Sequence, residues 1–125
     1  MTNASEVLSS IQSAFPAAVS DGKVESDDRL WVTVDSKKIR DVCKYMTDKL
    51  GFDHYAGSAG VDWIARNEME VVEIMASYGI HNVVAMLKVK TPRDNPSVPS
   101  LVDMYWNANW YERETWEMFG INFEG

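Results

Sequence analysis

A single cysteine, Cys43, stands in 125 residues, so no disulfide framework can be drawn. Histidine is scarce too: His54 and His81 lie far apart, at no spacing that suggests a metal site. No apolar run approaches the roughly 20 residues that cross a bilayer as a helix. The start, Met-Thr-Asn-Ala-Ser-Glu, lacks the basic and apolar regions of a secretory signal, which places the chain inside the cell. Cations are few, 12 against 19 acids, and the net charge of -7 disfavours nucleic acid and anionic lipid. Only Lys37-Lys38 adjoin one another. Any membrane association is therefore expected through a protein partner.

What is present is an ordinary globular composition, 46% hydrophobic and 25% charged, long enough for one core and one domain, residues 1–125. Asn3-Ala-Ser-Glu6 has the form of a capping box, and Val7, Leu8, Ile11, Ala14 and Phe15 follow at helical spacing until Pro16. A strand and turn over Gly22–Asp28 and an alternating strand over Leu30–Val34 come next. Asp35 can cap a second helix running to Leu50, with Ile39, Val42, Cys43, Met46 and Leu50 as its buried stripe and Gly51 as its stop. Cys43 is thereby a core thiol, and a lone cysteine cannot hold an iron-sulfur cluster.

From Asp53 to Lys90 the pattern changes to three antiparallel strands, with Gly57–Gly60 bulged, Ile64 on the otherwise polar side, and a turn at Gly79–Asn82. Thr91–Pro99 holds three of the four prolines and leaves the sheet as an extended loop. The resulting expectation is an α+β fold: helix, two strands, helix, three strands plus C-terminal helices, with one mixed or antiparallel sheet covered by helices.

The unusual stretch is the end, Ser100 to Gly125, with three of the five tryptophans around a Glu-Arg-Glu triplet. Read as one helix from Met104 to Phe119, it puts Tyr105, Trp116 and Phe119 on one side, Met104, Tyr111 and Met118 on another, and Trp106 with Trp110 on a third. Such a helix has no polar face, so either it breaks in two or another protein covers part of it. Glu112 projects among aromatics and needs a partner, while Arg113 and Glu117 are spaced to pair. Glu112, Glu114 and Glu117 could be imagined as an acid/base or metal cluster, but no nucleophile, histidine or phosphate-binding loop accompanies them. Nor is Gly57-Ser-Ala-Gly60 a dinucleotide fingerprint, which needs a strand before it and a helix after.

Pro99-Ser100-Leu101, Ala108-Asn109-Trp110-Tyr111-Glu112-Arg113-Glu114, Met118-Phe119-Gly120-Ile121 and Phe123-x-Gly125 together resemble the signature of the 30 kDa subunit family of respiratory complex I, NADH:quinone oxidoreductase. That family includes related subunits of energy-converting [NiFe] hydrogenases and F420H2 dehydrogenases. Two departures are visible: Glu117 stands where the family commonly has Asp, and the family's usual His-Pro segment and wrapping tail lie beyond Gly125.

The resemblance implies a cofactor-free structural subunit of the peripheral arm, with iron-sulfur clusters, and NiFe in a hydrogenase, held by partner subunits. It implies docking on the hydrogenase-like large (49 kDa-type) subunit and the small iron-sulfur subunit, on the cytoplasmic side of the membrane, in support of electron transfer coupled to ion translocation. The partner-binding residues it implies are Trp106, Asn109, Trp110, Glu112, Arg113, Glu114, Glu117, Phe119 and Gly120. It leaves the electron donor and acceptor open. The residues alone also fit a stand-alone binding or regulatory domain that self-associates through its aromatic segment, or a small hydrolase using the Glu cluster.

Overall fold

The computed structural model describes residues 4–52, 54–77, 83–94 and 96–124. The capping residue Asn3, the turn at Gly79–Asn82 with His81, and Gly125 lie outside the described residues. Helix α1 (Ala4–Ala14) buries Ala4, Val7, Leu8 and Ile11, and Pro16 follows its end. Ala14, read as part of that stripe, is exposed, because the helix ends there and the chain turns through Phe15–Ala18 into the sheet.

Strand β1 (Val19–Ser26) starts earlier than the Gly22 boundary suggested, and β2 (Arg29–Val34) alternates as expected, with Leu30, Val32 and Val34 inward. Asp35 does cap, but its carboxylate accepts the Lys37 N–H at 3.0 Å to start a 3-10 turn, Ser36–Lys38. That turn leads into helix α2 (Ile39–Leu50), which buries Ile39, Val42, Cys43 and Met46. Gly51 ends α2 in the left-handed conformation, its N–H returning to the Met46 carbonyl, which only glycine does without a Cβ penalty.

Strands β3 (His54–Trp63), β4 (Glu68–Ser77) and β5 (Val83–Pro92) form the antiparallel run. Ile64, the residue that broke the alternation, lies past the end of β3 in a 3-10 turn, Ile64–Arg66, where strand periodicity no longer governs it. The sheet order is β1-β2-β5-β4-β3, and β2 joins β5 in parallel, so the sheet is mixed. One face carries Leu30, Val32, Leu87, Val89, Val71 and Met75 into the core with α1 and α2. The other presents Trp31, Met86, Val72 and Ile74 by the strands' period of two.

The proline-rich loop is not structureless throughout. Ser97–Pro99 is a short strand, β6, paired in parallel with β7 (Asn122–Glu124) at the chain's other end. Between them lies a single helix, α3 (Ala108–Phe119), where terminal helices in the plural were expected. Residues 102–104 and 106–107 form turns, so the Met104–Phe119 stretch is not one continuous helix.

Candidate docking surface

The break before α3 decides which aromatics face inward. Met104 and Tyr105 both donate their N–H groups to the Leu101 carbonyl, closing a tight turn that drives Tyr105 into the core. There its ring stacks on Tyr55, 5.1 Å between centroids, and its hydroxyl donates to the Cys43 carbonyl at 3.2 Å and lies 2.6 Å from Thr47 Oγ1. The next residue, Trp106, is 84% exposed. Asn107, instead of capping α3 with its side chain, donates from Nδ2 to the Tyr55 carbonyl at 2.7 Å and so ties the turn to the sheet edge.

Glu112 is 7% exposed and is consumed within the chain. Its Oε1 accepts from Ser100 Oγ at 2.6 Å and its Oε2 from the Leu101 N–H at 2.8 Å. Both oxygens of the buried carboxylate therefore have donors, which is the condition for keeping a charge inside. On the far side of the same turn, Arg40 grips Asp103 with two bonds of 2.7 and 2.6 Å and also donates to the Ser100 carbonyl. The guanidinium holds Asp103 below the usual carboxylate range. Residues 100–103 are thus clasped between α2 and α3.

The large side chains left outside are apolar. Trp106, Trp110 and Trp116 are exposed, and Met118 is 76% exposed. Arg113 Nε sits 3.8 Å from Glu117 Oε1 as the spacing suggested, with both side chains in solvent. An open groove of about 300 Å³ runs between α3 and β7, lined by Asn109, Arg113, Trp116, Asn122 and Phe123 above Glu112. Gly120 ends α3 in the left-handed conformation at φ 71°, its N–H on the Trp116 carbonyl at 2.9 Å, and so releases Ile121 into the core.

Of the residues singled out in the sequence, Trp106, Asn109, Trp110, Arg113, Glu114, Glu117 and Gly120 are exposed. Glu112 and the half-buried Phe119 are engaged inside the chain, Phe119 against Gly60 of β3. Trp116 and Met118 join the exposed set unannounced, because the continuous-helix projection grouped them with residues that the real turn sends inward. No group of three or more Cys, His, Asp or Glu among the described residues is arranged to hold a metal. Cys43 is buried, and desolvation raises its thiol well above the ordinary value.

Fold and surface together define a two-layer α+β domain that displays its largest exposed aromatics on one C-terminal helix and the turn before it. Residues 32–125 match the family described as the respiratory-chain NADH dehydrogenase 30 kDa subunit. The chain belongs to that family. It is 46% identical over 122 residues to a subunit of the F420H2 dehydrogenase of Methanosarcina mazei, covering 98% of this chain and 77% of that one. To a subunit of the NADH-quinone oxidoreductase of Roseiflexus sp. it is 38% identical, covering 95% and 69%. Among solved structures, a chain of the membrane-bound sulfane sulfur reductase, an archaeal respiratory membrane complex, superposes with a TM-score of 0.84 at 32% identity, over 97% of this chain and 70% of that one. The Nqo5 trypsin-resistant fragment shares the fold, with a TM-score of 0.77 at 24% identity, over 97% and 95%. No helix among the described residues is long and apolar enough to cross a membrane.

Proposed function

We propose that the chain is a cofactor-free structural subunit of the peripheral arm of a membrane-bound complex I-like oxidoreductase or energy-converting [NiFe] hydrogenase, the redox centres lying in its partners. It docks on the hydrogenase-like large subunit and the small iron-sulfur subunit on the cytoplasmic side, and supports electron transfer coupled to ion translocation by holding those subunits in place. The observation that carries this reading is the contrast along one segment. Glu112, Tyr105 and Asn107 are used up in internal bonds, whereas Trp106, Trp110, Trp116 and Met118 are left in solvent. Exposed tryptophan next to arginine is the usual make-up of an interface centre.

Co-expression with the hydrogenase-like large subunit tests it. The complex is expected to copurify without a redox centre on this chain, and Trp110→Ala with Arg113→Glu should weaken it at least tenfold. A doubly substituted chain that still binds as tightly overturns the assigned surface. A stable dimer of the isolated chain that dissociates on the same substitutions would instead favour self-association.

A further inference from the structure

The two edges of the main sheet are treated differently. At one edge, β1 is broken twice in register, between Ser20 and Lys23 and between Val24 and Ser26, with Asp21 at a positive φ of 50°. It also carries Lys23 and Glu25, and these are the devices that keep an edge from pairing with another chain. At the other edge, β3 has its single register shift at its start, between Tyr55 and Gly57, and then pairs with β4 without interruption from Ser58 to Trp63. That run has no lysine and no proline, and its one charge, Asp62, is tied to Arg93 at 2.8 Å. Asn107 caps the Tyr55 carbonyl. Beyond that point no strand among the described residues pairs with the outer side of Ser58–Trp63.

Beside this run lies a groove of about 290 Å³ between β3 and α3, floored by Ser58, Ala59 and Gly60 and walled by Tyr111, Met118 and Phe119. Such a volume admits a few side chains, not a second domain. At its lip stands Glu114. The only cation on α3, Arg113, is taken by Glu117, which leaves the exposed Glu114 without an ion pair among the described residues.

We propose that the β3 edge with its groove is a strand-addition site. It takes an extended segment of about six residues, roughly 20 Å at the rise of a strand, from a partner polypeptide. The backbone of that segment pairs with the outer side of Ser58–Trp63, its alternate apolar side chains enter the groove against Tyr111 and Met118, and a cation meets Glu114. Strand addition of this kind draws affinity from main-chain hydrogen bonds and specificity from the pockets for alternate side chains. The proposal rests on the docking reading above, which names the large subunit as the partner.

The test is hydrogen exchange on the full chain, free and in the complex formed by co-expression with the large subunit. The peptide covering residues 58–63 is expected to exchange at least tenfold more slowly in the complex. Ala59→Lys and Met118→Lys, both at exposed positions, should weaken assembly at least tenfold while leaving the thermal midpoint unchanged. Protection of α3 with none on β3 overturns strand addition alone, and protection of β3 with none on α3 overturns the α3 docking surface alone. Absence of any complex overturns both. Protection of β3 in an isolated chain of dimer mass identifies a second copy as the occupant and overturns the proposal, as does wild-type assembly by both lysine variants.

Discussion

The phenol of Tyr55 donates a 2.6 Å hydrogen bond to Oε1 of Glu73 in the middle of the sheet, and the other carboxyl oxygen, Oε2, is buried with no hydrogen-bond partner among the described residues. Glu73 is 0% exposed. Desolvation, with the nearby negative charge of Glu112 adding to it and the Tyr55 hydrogen bond opposing it, pushes its carboxyl up to about 8, so the group is held in its neutral acid form near neutral pH.

This makes the pH dependence of stability opposite to that of an ordinary paired carboxylate. Folding binds a proton at Glu73 wherever the unfolded chain is ionised and the folded chain is not, between the ordinary value of 4.5 and about 8. Stability from this group is fully present below 4.5 and is lost as the pH rises toward 8, by a few kcal/mol at about 1.4 kcal/mol per unit. Glu73→Gln removes the titration and keeps a hydrogen-bond acceptor. Urea unfolding at pH 5 and pH 8 is expected to show a larger pH loss for the wild type than for the variant. Equal losses would mean that Glu73 ionises freely.

Glu112→Ala removes the acceptor for two inward donors, Ser100 Oγ and the Leu101 N–H. At about 1–3 kcal/mol for each of the two buried donors left unsatisfied, a loss of about 2–6 kcal/mol is expected, read as a lower midpoint in urea. Glu112→Gln should recover part of it, since one oxygen still accepts. A neutral Glu112→Ala would show that the clasp does not carry the 100–103 turn.

Gly60→Ala places a Cβ 2.6 Å from the Phe119 ring and 3.1 Å from Thr115 Cγ2. The Phe119 side chain, or the helix that carries it, must shift, at a cost of about 1–3 kcal/mol. Phe119→Leu should be less damaging in the Gly60→Ala background than in the wild type, and a double-mutant cycle measures that coupling. Additive effects would place the two residues out of contact.

Trp106→Ala and Trp110→Ala are expected to change folding stability by no more than about 0.5 kcal/mol, because both rings stand in solvent. Each should cost the complex roughly 2 kcal/mol, about thirtyfold in affinity. Calorimetric melting of the isolated chain and a binding titration with the large subunit separate the two effects; a large melting shift with intact binding would assign these rings to the fold.

The local elements were largely legible in order. The stripe of Ile39, Val42, Cys43 and Met46 and the stop at Gly51 mark α2 because helix periodicity and a left-handed cap are properties of neighbours in sequence. The alternation of Leu30, Val32 and Val34 marks β2 for the same reason. The break at Ile64 was visible as a violated pattern, but not what replaced the strand. Short elements failed: β6 and β7, of three residues each, have no periodicity to read, and they exist only because Ser97–Pro99 meets Asn122–Glu124. At the candidate surface, Trp106, Trp110 and the Arg113–Glu117 pair could be named in advance. The inward turn of Glu112 could not, because its donors belong to a loop whose position Arg40, 63 residues from Asp103, helps to set.

By itself, the sequence determined helices α1 and α2, the longer strands and the family signature around Trp110-Tyr111-Glu112-Arg113, all of which follow from side-chain types at short spacings. Only the tertiary structure decided the parallel joining of β2 to β5, the clasp on Ser100 and Leu101, and the division of the terminal aromatics into buried Tyr105 and exposed Trp106, Trp110 and Trp116. Those outcomes turn on which distant donors and rings arrive at the same place. Neighbouring residues in a chain carry no record of that until the core has closed around them.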